Sequence, residues 1–281
     1  MKIVIAKCML TFCLTGLLIG CHPGTRKFSD NNIQFDSLVV NKTYHILEVD
    51  TNPTCLLQIN FVYPVNYENK DLLKSVQQQF IAGFFGPEFA DLAPNEATEK
   101  YVADFLKTLK DYEKDFLVDI ENHDMEMEET WYSIEETISD QIVYNRNDLI
   151  SFVAYKTGYY GGAHGSHTLT NRVINLKTGL QITEDEIFIK DYQEDLAKII
   201  VDAIALSNNV EIAELENLGF FNVAEIYPNK NFYVDETGIT YTYNEYDIAA
   251  YVIGPVTVHI PYEKILHLMQ KTSPIAAIAF Q

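Results

Sequence analysis

The spacing of apolar residues switches between two periods along this 281-residue chain, and the switches outline its elements. Cys55-Leu56-Leu57-Gln58-Ile59-Asn60-Phe61-Val62-Tyr63 is apolar and rich in strand-forming residues. It predicts a strand over 55–63, preceded by another at 43–50 across an Asn52-Pro53 break. Leu72, Leu73, Val76, Phe80 and Phe84 then fall on one helical face, predicting a helix over about 68–85 that stops where Gly86-Pro87 forbids continuation. A longer helix over 95–120 carries Val102, Phe105, Leu106, Leu109, Phe116, Leu117 and Ile120 mostly three and four apart, the stripe of a helix lying on a sheet. Strands near 130–145, 148–160 and 167–176 read as a meander. A third helix at 191–207 presents Leu196, Ile199, Ile200, Ala203 and Ile204. Two further strands, 231–244 and 255–261, are expected to return to the same sheet, followed by a short helix from Tyr262 to Met269. Strands and helices come in clusters without strict alternation. The pattern therefore predicts an α+β fold with a mainly antiparallel sheet and about three packed helices.

The most distinctive local sequence is Tyr159-Tyr160-Gly161-Gly162-Ala163-His164-Gly165. Leu149 to Tyr155 upstream and His167 to Leu176 downstream have strand composition, so the glycines are expected to form a tight loop between two antiparallel strands, where they supply positive φ angles without steric cost. Leu176-Lys177-Thr178-Gly179-Leu180 gives a second turn, and Thr183-Glu184-Asp185-Glu186 fits a helix capping box ahead of Ile187-Phe188.

These blocks resemble the extracytoplasmic domain shared by the lysozyme-sensing anti-sigma factor RsiV and the N-terminal region of the peptidoglycan deacetylase PdaC. The resemblance extends to Phe232 to Ile239, Tyr246 to Pro255 and Val256 to Tyr262, so it covers roughly residues 150 to 265, with a weaker match over 35–145. It implies an extracytoplasmic module in which the glycine loop and the tyrosine-bearing C-terminal strands share one sheet. The chain ends at 281 without room for a deacetylase domain after the second block.

Lys2 and Lys7, an apolar run and then Leu18-Ile19-Gly20-Cys21 have the form of a bacterial lipoprotein leader. The expectation is a signal peptide over 1–20 and acylation of Cys21, with two or three acyl chains providing stable membrane attachment. A polar tether follows over 21–34, then an N-terminal helix-containing half over 35–145 and a C-terminal half over 146–281. Asp36-Ser37-Leu38, read as exposed tether, resembles a bacterial O-glycosylation acceptor. Cys8 and Cys13 leave with the leader, so Cys55 is the remaining thiol, expected to be buried and inert. The expected location is the bacterial cell envelope, extracytoplasmic and lipid-anchored.

Twenty basic against forty acidic residues give a formal net charge of −20; removing Lys2 and Lys7 with the leader leaves 18 against 40. Such a surface disfavours nucleic acid and suits a cationic partner such as a lysozyme-like wall hydrolase, although plain solubility is the readier account of it. The densest acidic run, Asp119 to Glu129, lacks the spacing and glycine of an EF-hand loop. The chain shows no Gly-x-Ser-x-Gly elbow, His-Glu-x-x-His pair, phosphate-binding loop or paired zinc-type cysteines, so the reading is of a protein without catalysis, cofactor or metal. His164 with His167 is a weak metal alternative, set against a His164 that hydrogen-bonds the hairpin backbone. Tyrosines combine apolar area with a polar tip, which makes Tyr159, Tyr160, Tyr246 and Tyr251, with Gly161, Gly162 and His164, the candidate ligand-binding residues. The function these observations favour is a non-catalytic envelope module binding a peptidoglycan fragment or a cationic muramidase. A wall-modifying hydrolase using His164, or a structural or inhibitory lipoprotein, is the alternative.

Overall fold

Residues 29–121 and 129–280 are described by a computed structural model of the chain. The leader, Cys21, and Asp124, Glu126 and Glu128 of the acidic run lie outside the described residues.

Strands β1 (Gln34–His45) and β2 (Thr54–Asn66) form an antiparallel pair, and two helices follow, α1 (Lys70–Phe84) and α2 (Pro94–Glu121). Next come β3 (Ile134–Arg146), β4 (Leu149–Tyr160), β5 (Ser166–Asn175) and the two-residue β6 (Leu180–Gln181). These six strands make one sheet in chain order, antiparallel at every junction except β2–β3, which is parallel because α1 and α2 carry the chain back across the sheet. The 145/146 division falls inside the last residues of β3, so the sheet is continuous across it. That turn places Asn147 and Asp148 at φ 56° and 59°, the left-handed pair a two-residue hairpin needs, from residue types that tolerate it.

The expectation of a single sheet is corrected. After α3 (Glu184–Ile187) and α4 (Gln193–Asn208), strands β7 (Phe232–Val234), β8 (Gly238–Tyr243) and β9 (Val256–Pro261) form their own three-stranded antiparallel sheet. The predicted strand 231–244 is divided by a turn at Asp235, whose carboxylate accepts from the N–H groups of Thr237 and Gly238. The predicted strand 43–50 also gives way: β1 starts at Gln34 and ends at His45, where Leu47 and Glu48 turn the chain with φ near 57°. Asp36, Ser37 and Leu38 are therefore paired with Tyr63, Val62 and Phe61 of β2 and do not belong to a tether.

β4 explains how the layers stack. Leu149 to Ala154 are buried without alternation, because successive side chains enter two different cores. Ile150, Phe152 and Ala154 face α1 and α2, where Phe80 stacks on Phe152 (4.2 Å between centroids) and Phe61 meets Phe84 (4.5 Å). Buried Cys55 sits in this core too, as expected. Leu149 and Val173 face the second core, built from Leu196, Ile200 and Ile204 of α4 with Tyr241, Val258 and Ile260 of the small sheet. Fully buried Ser151 joins the two sheets, donating to Val234 O (2.7 Å) and accepting from Val234 N (3.2 Å).

Candidate functional site

The glycine loop joins β4 to β5 as a hairpin, with Gly158 opposite Ser166. Gly161 and Gly162 take φ of 80° and 91°, and the Tyr159 hydroxyl braces the loop by donating to Gly162 O (3.0 Å). Gly161 is also required sterically: a Cβ there would stand 2.1 Å from Trp131 O, whereas one at Gly162 would meet nothing. Gly161→Ala is thus expected to push Trp131 aside and to cost roughly 2 kcal/mol through combined clash and backbone strain; Gly162→Ala should cost about 1 kcal/mol, from strain alone. Trp131 is the sole tryptophan of the chain, so fluorescence emission distinguishes them, shifting for the first variant and not for the second.

Two of the sequence-selected blocks meet at the loop. The His164 ring stacks on Tyr251 (3.9 Å), and Tyr251 on Tyr246 (5.9 Å), forming an aromatic ledge. Tyr246 is 56% exposed and held at φ 67°, a left-handed conformation that an aromatic residue adopts only under constraint. The constraint is a turn in which Asn244 N donates to Asp247 Oδ2 (2.7 Å) and Asp247 N to Asn244 O (3.0 Å). His164 Nδ1 lies 2.9 Å from Gly165 O, as expected of a histidine bonded to the hairpin backbone. His167 Nδ1 lies 2.7 Å from Glu245 Oε1. The two imidazoles thus have separate partners, and among the described residues no cluster of three or more His, Cys, Asp or Glu side chains is arranged to hold a metal ion.

Tyr160, Gly161 and Gly162 line another cleft, of about 390 Å³, with Tyr112, Asp115, Trp131 and Tyr132, where Tyr112 donates to Tyr160 O (3.2 Å). Trp131, 48% exposed here, was not singled out by the sequence, although its uniqueness was a visible signal.

A cleft of about 810 Å³ borders the Asn244–Asp247 turn and runs along the free edge of β5. That edge is open because β6 pairs only with Ile174 and Asn175. An unpaired edge leaves backbone groups seeking partners; here side chains from the C-terminal block provide them. Glu245 accepts from His167 N (3.1 Å), Asn244 from Leu169 N (2.8 Å) and Asn231 from Asn171 N (2.8 Å). Asn171, 2% exposed, in turn donates to Asn231 O (3.2 Å) and to Thr242 Oγ1 (2.8 Å), and Asn229 donates to Thr242 O (2.8 Å). The wall opposite β5 carries Tyr227, 48% exposed, and Lys230, another non-glycine residue with positive φ (63°). The resulting surface mixes neutral amides with one exposed aromatic ring, that of Tyr227. That combination suits polyhydroxylated ligands, whose hydroxyls bond amides and whose C–H faces stack on rings. The sequence reading did not select these asparagines.

Comparisons with known proteins agree with this architecture. A family model described as "Deacetylase PdaC" matches residues 50–167, and one described as "Protein of unknown function (DUF3298)" matches residues 185–263. A crystal structure of a DUF3298 family member from Bacteroides fragilis NCTC 9343 is 31% identical, covers 89% of this chain and 98% of its own, and superposes with a TM-score of 0.82. A second, from Pseudomonas aeruginosa PAO1, is 14% identical with a TM-score of 0.57 over 86% of this chain and 97% of that one, a likeness of fold alone. No protein with a curated description matches the chain. The expected kinship therefore holds for the PdaC-type and DUF3298 regions, even though their strands lie in two sheets.

Proposed function

Taking as premise that the chain belongs to the DUF3298 family of proteins of unknown function, we propose that it is a non-catalytic cell-envelope module whose β5-edge cleft holds a peptidoglycan fragment. One observation carries the reading: an 810 Å³ cleft walled by Asn171, Asn229, Asn231 and Asn244 and flanked by exposed Tyr227. The match of residues 50–167 to a region named for a deacetylase supports a wall-related ligand. Attachment through an acylated Cys21 is part of the same proposal; it would keep the module beside the wall.

Isothermal titration of the full chain with muropeptides and N-acetylglucosamine oligomers tests the reading. Wild type is expected to bind in the micromolar range, and Tyr227→Ala to weaken binding about tenfold, the equivalent of about 1.4 kcal/mol of lost stacking. Absence of saturable binding up to millimolar glycan would remove the proposal.

A second reading, a cationic muramidase as partner, is favoured by the cleft on the other flank of the glycine loop. Trp131, Tyr112 and Tyr160 with Asp115 offer aromatic faces and a carboxylate to a lysine or arginine side chain. Capture of lysozyme by wild type but not by Trp131→Ala, at an ionic strength of about 0.15 M where nonspecific attraction is screened, would favour it.

A further inference from the structure

The cleft along β5 contains a guanidinium, that of Arg172, that forms no ion pair among the described residues. Arg172 follows Asn171 on β5, and its aliphatic stem lies against α1 and the sheet: a Cβ added to Gly83 would stand 3.0 Å from Arg172 Cγ and 2.7 Å from Phe152. Glycine at 83 makes room for this arginine. The guanidinium then reaches the cleft at the point where β6 ends. Its Nη1 donates to the amide oxygen of Gln181, a neutral group, and its buried Nε finds no hydrogen-bond partner among the described residues. Burial lowers the tendency of this guanidinium to hold its proton.

In a chain with forty acidic and twenty basic residues, this is an unusual placement. Several other cations have carboxylate partners: Arg146 with Asp30 and Glu236, Lys156 with Glu136, Lys110 with Glu113. A half-buried charge without a counter-charge is costly, and the cost is recovered when an anion joins it in the same low-dielectric site. A ligand in the cleft can supply that anion by presenting an acidic group to the guanidinium. Guanidinium is the side chain best matched to a carboxylate, through its planar fork of donors.

We infer that the ligand of this cleft is an acidic saccharide, whose carboxylate is seated against the Arg172 guanidinium. The inference rests on the glycan-binding reading above and narrows it from glycans in general to sugars bearing a carboxylate. It makes Arg172 a specificity-determining residue, and the amides and Tyr227 general saccharide contacts.

The test compares matched probes on the full chain: a tetrasaccharide of alternating N-acetylglucosamine and N-acetylmuramic acid without peptide, the same compound with its lactyl carboxylates methyl-esterified, and N-acetylglucosamine tetramer. Wild type is expected to bind the acid about tenfold more tightly than the ester, the usual scale of one charge-assisted contact. Arg172→Gln should bring that ratio to about one while leaving affinity for the neutral tetramer within about twofold; Arg172→Lys should restore part of the ratio because charge returns without the fork. Should Arg172→Gln not fold, raising salt from about 50 to 500 mM on wild type supplies the second readout, since the acid preference should shrink and neutral binding should not. Equal wild-type affinity for acid and ester, with both binding, would overturn this inference and spare the glycan reading. Failure of all three probes to bind would remove both.

Discussion

Asn231→Ala is expected to lower the stability of the protein by roughly 3 kcal/mol, a large loss for one partly exposed polar side chain. The residue closes a tertiary junction. Its Oδ1 accepts from Asn171 N on the β5 edge, and its Nδ2 donates to Leu169 O and to Thr242 O, both at 3.0 Å. Removing it orphans the Asn171 N–H, because that edge has no neighbouring strand to take over, and a buried donor without a partner costs about 1 to 3 kcal/mol by itself. The other two contacts are shared: Leu169 O also receives Asn244 Nδ2, and Thr242 O receives Asn229 Nδ2. Losing their Asn231 bonds adds the remainder. Asn244→Ala leaves a less buried group unpaired and is expected to cost about half as much. Urea denaturation followed by far-UV circular dichroism checks both, with the midpoint falling and the slope unchanged. A loss under about 1 kcal/mol for Asn231→Ala would show that the edge is not held by these amides.

Asp140→Asn should act in the opposite direction, stabilising the protein by roughly 5 kcal/mol at pH 8 and by close to nothing near pH 4. Asp140, 8% exposed, lies on β3 just past the last parallel pair, Asn60 with Ser139. There β2 and β3 part, and Asp140 Oδ1 accepts from Val62 N (2.7 Å) in place of a ladder bond, while Oδ2 has no partner among the described residues. Burial pushes the carboxyl up to about 8, opposed by the Val62 N–H and its own backbone N–H. The folded state therefore retains a proton that the unfolded chain releases near pH 4, so wild-type stability falls as pH rises from about 4 to about 8 and then levels off. Asparagine keeps the acceptor for Val62 without the charge, and that slope should vanish. Thermal melts of both proteins at pH 4.5, 6 and 8 measure it; parallel melting curves across the series would contradict a buried, protonated Asp140.

The parts of the fold that were legible in the sequence are those whose cause is local. Helices α1, α2 and α4 follow their apolar stripes to within about two residues, and α1 ends as Gly86-Pro87 required. The Thr183–Glu186 box forms, with Thr183 N and Oγ1 donating to Glu186 Oε2 at 2.8 and 2.9 Å. The second sheet was not legible, because β7 and β8 have the composition of any buried strand and their partners are set by packing against β4 and α4. For the same reason, the aromatic ledge was visible through residue type, and the amide-lined edge was not. Asparagine in sequence reads as a turn former; Asn231 and Asn244 act on residues 60 to 75 positions away. Trp131 required only that its singularity be noticed, and Arg172 that its missing counter-ion be seen in three dimensions.

The entry of the chain into the fold and the glycine loop lie at opposite ends of the same strand. Ser29 and Asp30 are fastened to the β3–β4 turn, Ser29 O accepting from Asn147 N (2.8 Å) and Asp30 pairing with Arg146, whereas the loop caps the far end of β4. Twelve residues of extended strand separate them, roughly 40 Å. Held to a surface through the residues before Ser29, the molecule would act as its own spacer. The length of the stiff sheet would then enter directly into how far from that surface His164 and Tyr251 stand.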